Sequence, residues 1–173
     1  LTDGRRFSHI ERLREDPTIP ELFGMEAVVS DDTVRRFFQS IDPVLGAEWI
    51  ARQVKPMWGA LPDQIIMDWD STVQPKYGHQ EGAEIGYNPT KPMRPSHVLH
   101  TFLVSNLRLV LDVQVSSGKQ HTSGHAKAAL GRLLDELGER RPALVRGDSG
   151  YGNEGTLLTL EERKQPYLLR LRQ

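Results

Sequence analysis

Two aspartates stand at the ends of two predicted strands and are candidates for binding one metal ion together. Asp70 ends the alternating stretch 65–70, and Asp148 comes just after the short apolar stretch 143–145. Side chains at the ends of neighbouring strands can converge, although these two are far apart in the sequence. Two carboxylates at one point repel each other unless a positive charge lies between them. Mg²⁺ takes oxygen ligands, and two such ions about 3.5–4 Å apart can activate an attacking oxygen and stabilise a leaving one.

Simpler roles for these aspartates stay open at this point. Asp148 lies just before a predicted helix, and its role could be limited to capping that helix or the turn before it. Asp68 lies two residues before Asp70 and therefore points to the same face of the strand. The residues alone do not decide whether Asp68 is a ligand, a support for a ligand or a surface charge.

The first sixty residues are predicted to be helical. Ser30 is a candidate N-cap, with Asp31 and Asp32 in the positive first turn and an apolar face at the helical spacing after them. Pro43 is expected to open a second helix that runs to about Val54. We also expect one short helix within residues 9–22, and Pro56 and Pro62 are expected to interrupt the helical region.

From residue 63 onward the pattern changes to strands and helices. The predicted elements are strand 65–70, an irregular excursion at 75–96, strands 97–104 and 108–116 joined by a hairpin at 105–106, helix 126–137 ended by Gly138, strand 143–145, loop 146–152, helix 153–163 and strand 167–171. Leu107, Leu109, Leu111, Val113 and Val115 are expected on one side of their strand. Three antiparallel strands followed by βαβ units predict a mixed α/β sheet with the element order of a ribonuclease-H-like fold.

The composition excludes several classes of protein. The chain has 173 residues, a formal net charge of −1 and no Cys, which excludes disulfides, thiolate catalysis and Cys-based metal sites. No apolar run is long enough to span a bilayer, and no secretory signal is visible. Because the chain starts at Leu1 and stops on an apolar strand, we expect it to be part of a longer protein, with a helical region at 1–60 and a partial catalytic core at 61–173.

Several blocks of sequence, taken in order, resemble one known family. The blocks are DDTVRRFF at 31–38, DWDST at 68–72, YGHQEGA at 77–83, GYNP at 86–89 and RGDSGY at 146–151. Together they resemble the DDE-type transposases of bacterial insertion sequences, in particular the transposase DDE domain group of cut-and-paste elements. The resemblance extends from about residue 3 to the end of the chain.

The resemblance implies a ribonuclease-H-like core with a metal-binding triad of two Asp and one Glu. The Asp directly before the Ser-Thr pair is the first ligand in that family, which selects Asp70, and Asp148 is the second. The Glu is expected beyond Gln173, so this segment alone is expected to be inactive, and neither Glu154 nor Glu161 matches the family position. The implied cofactor is Mg²⁺, with Mn²⁺ as a substitute and two ions in the full enzyme.

The implied activity is cut-and-paste transposition. Water attacks the phosphodiester at the end of the element, and the freed 3′-hydroxyl then attacks target DNA. The implied partners are the transposon ends and the target DNA, with a homodimer in the full-length complex, no membrane, and a bacterial cytoplasmic location near the nucleoid. The alternatives are a ribonuclease-H-like nuclease that does not join strands and a non-catalytic DNA-binding or interaction remnant.

Other residues receive more modest interpretations. The three tryptophans, at 49, 58 and 69, are expected in the core, and residues 147–155 are expected to form a tight strand-to-helix turn rather than a phosphate cradle. His121 and His125 are four residues apart, but we expect loop residues rather than zinc ligands. The cations expected to contact DNA phosphates are Lys76, Lys91, Arg94, Arg108 and Arg146.

Overall fold

A computed structural model describes residues 6–120 and 122–171, without the side chains of 122–126. The chain divides into two compact units, the first ending at Ile50 and the second beginning at Ala51. The predicted division of domains at residue 60 stays a prediction. The helices are α1 (His9–Arg14), α2 (Thr18–Leu22), α3 (Asp31–Ser40), α4 (Pro43–Trp58), α5 (Thr122–Leu137) and α6 (Glu154–Glu162).

The start of α3 confirms the predicted cap. The hydroxyl of Ser30 accepts a hydrogen bond from the backbone N–H of Thr33 at 3.1 Å. The segment before it forms the two helices α1 and α2 rather than one, because the chain breaks at Asp16 and Pro17. Pro17 has no N–H to donate, and the carboxylate of Asp16 accepts from the N–H of Thr18 at 2.9 Å, which starts a new helix.

Helix α4 continues past Pro56, contrary to the prediction that this proline interrupts the helical region. Pro56 lies in the last turn, where its missing N–H removes only one intrahelical hydrogen bond. Beyond it, the guanidinium of Arg140 donates to the backbone carbonyls of Trp58 and Gly59 and so satisfies acceptors at the end of the helix.

One mixed sheet carries the second unit. Its strands are β1 (Ile66–Pro75), β2 (Glu84–Ile85), β3 (Pro95–Val104), β4 (Leu109–Ser117), β5 (Leu144–Gly152) and β6 (Tyr167–Leu171). β1, β3 and β4 pair antiparallel, while β5 is parallel to β1 and β6 is parallel to β5. Apart from the two-residue β2, which pairs with β3, the order is β4-β3-β1-β5-β6. This order, with α5 and α6 as the crossovers, confirms the predicted ribonuclease-H-like fold class.

Strand β5 is longer than predicted, because the expected loop 146–152 belongs to it. Its pairing with β6 shifts after Gly147 and resumes where Gly152 lies opposite Leu171. A Cβ at Gly152 would lie 2.2 Å from the carbonyl oxygen of Arg170, so the absence of a side chain lets the two backbones approach there. The residues between the two glycines, Asp148 among them, bulge out of the ladder.

Strand β4 corrects the predicted one-sided apolar face. Opposite β3, Leu103 pairs with Val110 and Phe102 pairs with Asp112, so Leu111 is an extra residue in the strand. Such a bulge reverses the alternation, because side chains otherwise change face at every residue. Leu111 is therefore buried, whereas Val113 and Val115 are exposed.

The core of the second unit lies between the sheet and the helices. The Trp69 ring stacks on Phe102 and on Tyr151, with centroid distances of 5.5 Å and 3.7 Å. Trp58 and Trp69 are buried as predicted, but the prediction for Trp49 is wrong, since its side chain is 60% exposed. Trp49 belongs to the first unit, in which no described residue is buried. In the part of the chain that is described, no helix is both long enough and apolar enough to cross a membrane.

Candidate functional site

Asp70 and Asp148 line one open cleft at the point where the parallel pairing of β1 with β5 ends. The prediction that Asp70 ends its strand is wrong, because β1 continues to Pro75 through its pairing with β3. The ladder between β1 and β5 ends at the pair of Trp69 and Gly147, and each aspartate is the next residue in its strand. Both aspartates are exposed, and the cleft that they share has a volume of about 670 Å³. The structure therefore brings the two predicted residues to one place.

Asp70 is held in position by the aromatic residue before it. Trp69 is fully buried and stacked between Phe102 and Tyr151, which fixes this point of β1 against the core. Since neighbouring residues of a strand point to opposite faces, Asp70 must point away from the core and into the cleft. Among the described residues, its carboxylate makes no hydrogen bond or ion pair.

Asp148 is positioned by the bulge in β5. The backbone N–H of Gly150 donates to Oδ1 of Asp148 at 2.9 Å, which fixes the carboxylate in a local turn. The alternative that Asp148 caps a turn is confirmed by this bond, whereas the alternative that it caps the following helix is wrong. Helix α6 is capped by Asn153, whose Oδ1 accepts from the N–H of Thr156 at 3.1 Å. In the part of the chain that is described, Oδ2 of Asp148 has no hydrogen-bond partner.

Asp68 is engaged by the protein itself. It lies opposite Arg146 across the β1–β5 ladder, and the guanidinium donates to both carboxylate oxygens, Nε to Oδ1 at 2.6 Å and Nη2 to Oδ2 at 2.8 Å. The hydroxyl of Ser105, in the turn between β3 and β4, also donates to Oδ2. Arg146 holds the pKa of Asp68 below its usual range, and Ser105 acts in the same direction. Asp68 is therefore a charged partner of Arg146 beside the two free carboxylates.

A buried polar chain lies beneath the cleft. The Tyr151 hydroxyl and Nδ1 of His100 are 3.0 Å apart, and Nε2 of His100 is 3.1 Å from the Ser116 hydroxyl. Burial raises the pKa of Tyr151 well above its ordinary value, and the nearby charges of Asp148 and Asp70 raise it further. The Tyr151 hydroxyl is thus neutral, and the charges of both carboxylates disfavour its ionisation. This chain was not predicted from the sequence, in which the only signal was His100 between apolar residues of β3.

The cations predicted to contact DNA do not gather in one place. Arg146 lines the cleft, and Arg108 is an exposed residue with a left-handed backbone, φ 51°, at the turn before β4. Lys76, Lys91 and Arg94 lie in the excursion that follows β1. Lys76 is six residues beyond Asp70, about 20 Å along an extended strand. The sequence analysis also missed Arg170 of β6, which lines the cleft. The apolar run around that residue gave no signal for a site.

The donor atoms of the cleft fit a hard divalent cation. Mg²⁺ binds carboxylate oxygens and is commonly held by one or two carboxylates while it keeps water for substrate phosphates. Asp70 and Asp148 offer such oxygens in an open cleft. Among the described residues there is no group of three or more His, Cys, Asp or Glu placed to hold a metal. His121 and the side chain of His125 lie outside the described residues.

Comparison with solved structures gives remote likenesses. The HTLV-2 integrase catalytic core domain in complex with magnesium is 17% identical, with a TM-score of 0.40 over 64% of this chain and 61% of that one. The piggyBac transposase in its synaptic complex with hairpin DNA is 14% identical, with a TM-score of 0.44 over 84% and 34%. The Mos1 strand transfer complex is 11% identical, with a TM-score of 0.43 over 99% and 61%. The chain thus spans less than two thirds of each of these structures.

Sequence comparison identifies the family. No curated protein matches the chain. A family model described as transposase DDE domain group 1 matches residues 4–173, nearly the whole chain. The matched range includes β1 and β5 and the two aspartates that they carry, Asp70 and Asp148. The chain therefore belongs to the family transposase DDE domain group 1.

Proposed function

We propose that the protein to which this chain belongs cuts and joins DNA strands in cut-and-paste transposition, with a divalent cation held by Asp70 and Asp148. The single observation that carries the proposal is the meeting of these two carboxylates in one open cleft, in a member of a DDE transposase family. Neither carboxylate has a cationic partner among the described residues. Two such charges in one cleft favour a bound cation, because it removes their mutual repulsion.

The residues of this chain have defined tasks in that reaction. Asp70 and Asp148 would hold Mg²⁺, or Mn²⁺ in its place, with two ions in the full enzyme. When bound, such ions increase the nucleophilicity of an oxygen and stabilise the charge that develops on phosphate oxygens. The buried layer of Trp69 and Tyr151 keeps the floor of the cleft rigid, so that the two carboxylates keep their places.

The proposed chemistry has two displacements at phosphorus. Water attacks the phosphodiester at the end of the element, the bond to the 3′ oxygen breaks, and a free 3′-hydroxyl and a 5′-phosphate result. The 3′-hydroxyl then attacks a phosphodiester of target DNA and displaces a 3′ oxygen there. No covalent intermediate with the protein forms.

The proposal includes finer points that the family resemblance suggests. The partners are the transposon ends and target DNA, bound by a homodimer in the bacterial cytoplasm. Segment 1–173 alone is proposed to be inactive, because the third acidic ligand of the family has no counterpart among the described residues of the cleft except Asp68, which Arg146 holds. Contacts to DNA outside the cleft are proposed for Lys76, Lys91, Arg94 and Arg108, and the remaining candidate, Arg146, is treated below.

The test is a cleavage and strand-transfer assay of the full-length protein on DNA that carries the ends of the element, with Mg²⁺. We expect nicked and joined products. Asp70→Asn and Asp148→Asn are each expected to lower the rate by more than about 100-fold, beyond the effect of losing a group that only supports a ligand. Asp63→Asn, at an exposed position outside the cleft, is the matched control and should leave the rate unchanged.

Each alternative predicts a different result. Cleavage without joined product would favour the ribonuclease-H-like nuclease. A rate of product formation that is the same without Mg²⁺ and in both variants would contradict the proposed role of the carboxylates. Absence of any reaction in the full-length protein would favour the non-catalytic remnant.

A further inference from the structure

The charged side chains of the cleft differ in how many hydrogen-bond and ion-pair partners they have. Three carboxylates, at positions 68, 70 and 148, and two guanidinium groups, at positions 146 and 170, line it. The divalent cations proposed at Asp70 and Asp148 would offset part of the negative charge of the cleft, and a positive side chain beside them would add to the attraction for DNA phosphates. The partners that each arginine already has decide which of the two is available to bind a phosphate.

Arg146 already has one strong partner, Asp68. Its guanidinium makes two charge-assisted hydrogen bonds to Asp68, at 2.6 Å and 2.8 Å, in the fork geometry that arginine forms with carboxylates. The side chain of Asp68 is only 24% exposed. If Arg146 turned toward a phosphate, Asp68 would keep a half-buried charge without its cation, which is unfavourable. Arg146 is therefore a poor candidate for a phosphate contact.

Arg170 is in the opposite situation. It lies near the end of β6, the strand beside β5, and lines the cleft together with Asp70 and Asp148. Its side chain is exposed and, among the described residues, makes no ion pair or hydrogen bond. Its backbone lies close to β5, because a Cβ at Gly152 would be only 2.2 Å from the carbonyl oxygen of Arg170. A guanidinium with no ion pair among the described residues thus lines the same cleft as the carboxylates of Asp70 and Asp148.

We propose that Arg170, and not Arg146, is the arginine of the cleft that binds a DNA phosphate, while Arg146 only fixes Asp68 in place. The inference rests on the proposed function and specifies it further. A guanidinium binds phosphate through two parallel hydrogen bonds and keeps its charge at any physiological pH. Arg170 therefore offsets the repulsion between the acidic cleft and the DNA backbone.

The test is the salt dependence of DNA binding by the full-length protein, measured by fluorescence anisotropy in EDTA on a duplex that carries the end of the element. Each phosphate contact contributes about 0.9 to the slope of log Kobs against log salt concentration. Arg170→Gln should lower the slope by about that amount, and Arg170→Lys, which keeps the charge, should largely preserve it. Arg146→Gln and Arg146→Lys should leave the slope unchanged, as should the control Arg132→Gln at an exposed position of α5 outside the cleft.

The possible failures are distinguishable. Wild-type binding with an unchanged slope in Arg170→Gln would overturn the inference alone, as would an equal loss of slope in both Arg146 variants. A wild-type protein that does not bind this DNA would overturn the proposed function and the inference together. Circular dichroism of each variant shows whether a lost slope reflects a lost contact or a lost fold.

Discussion

At the scale of single residues, the three aspartates of the cleft have different hydrogen-bond partners. Asp68 has a guanidinium and a hydroxyl as donors, Asp148 has one backbone N–H, and Asp70 has no partner among the described residues. The number of donors to the carboxylate therefore increases from Asp70 to Asp148 to Asp68. Because a metal ion must compete with existing partners for each oxygen, this order supports Asp70 and Asp148 as the proposed ligands.

The buried hydroxyl beneath these carboxylates gives a test of stability. In Tyr151→Phe the ring keeps its stacking on Trp69 but loses the hydrogen bond to His100. We expect the free energy of unfolding to fall by about 0.5–1.5 kcal/mol, the net value of a typical buried hydrogen bond. Urea unfolding measures the change.

The control is Tyr87→Phe, at a tyrosine that is 79% exposed and has no hydrogen-bond partner among the described residues. We expect that variant to be as stable as the wild type. If Tyr151→Phe were equally harmless, the buried chain would have no part in holding the floor of the cleft.

At the residue scale the sequence predicts where the aspartates stand but not their partners. Asp70 and Asp148 could be selected because each follows a recognisable apolar stretch and matches a family block. The pairing of Asp68 with Arg146 could not be predicted, since it depends on the register between two strands far apart in the chain. The same reason hides Arg170, whose place beside the cleft follows only from the pairing of β6 with β5.

At the scale of elements, the helices that support the parallel strands are joined by an ionic cluster. The guanidinium of Arg163, just after α6, donates to both carboxylate oxygens of Asp135 on α5, at 2.9 Å and 2.8 Å. Arg141 lies 3.6 Å from the same carboxylate. The hydrogen bonds from Arg163 lower the pKa of Asp135 below its ordinary value of 3.8.

This cluster predicts a dependence of stability on pH. Because the pKa of Asp135 is lower in the folded state, the unfolded chain takes up the proton first as the pH falls. The stabilisation is therefore fully present above the ordinary pKa and is lost as the pH falls through the folded pKa. Below about pH 4 we expect the free energy of unfolding to fall less steeply in Asp135→Asn than in the wild type.

Chemical unfolding at a series of pH values measures this slope. Glu139→Gln is the control, since Glu139 is exposed and has no ion pair among the described residues. It should keep the wild-type slope. An Asp135→Asn variant with the wild-type acid slope would show that the cluster does not stabilise the contact between α5 and α6.

Element prediction succeeds where a local signal marks the end and fails where the partner strand decides. Gly138, with φ 56°, ends α5 as expected, and β6 has its predicted bounds. The bulge at Leu111 in β4 could not be predicted, because only the pairing with β3 shows the extra residue. The length of β5 was missed for the same reason, since its glycines and serine indicate a loop, and only the renewed pairing of Gly152 with β6 beyond the bulge shows that the strand continues.

At the scale of the molecule, the two units differ in how they are stabilised. The described residues of the first unit include none that is buried, whereas the second unit has a continuous core from the end of α4 to α6. The cleft belongs entirely to the second unit, and among its lining residues Trp69 is part of the buried core. The packed core of the second unit therefore supports the point where two carboxylates have no cationic partner among the described residues.

The central claim is that Asp70 and Asp148 together bind a divalent cation. Calorimetric titration of the full-length protein with Mn²⁺ tests it without relying on activity. We expect the wild type to bind Mn²⁺, the variants Asp70→Asn and Asp148→Asn each to bind it at least about 10-fold more weakly, and the control Asp63→Asn to bind it like the wild type. Absence of binding in the wild type, or equal binding in all four proteins, would contradict the account.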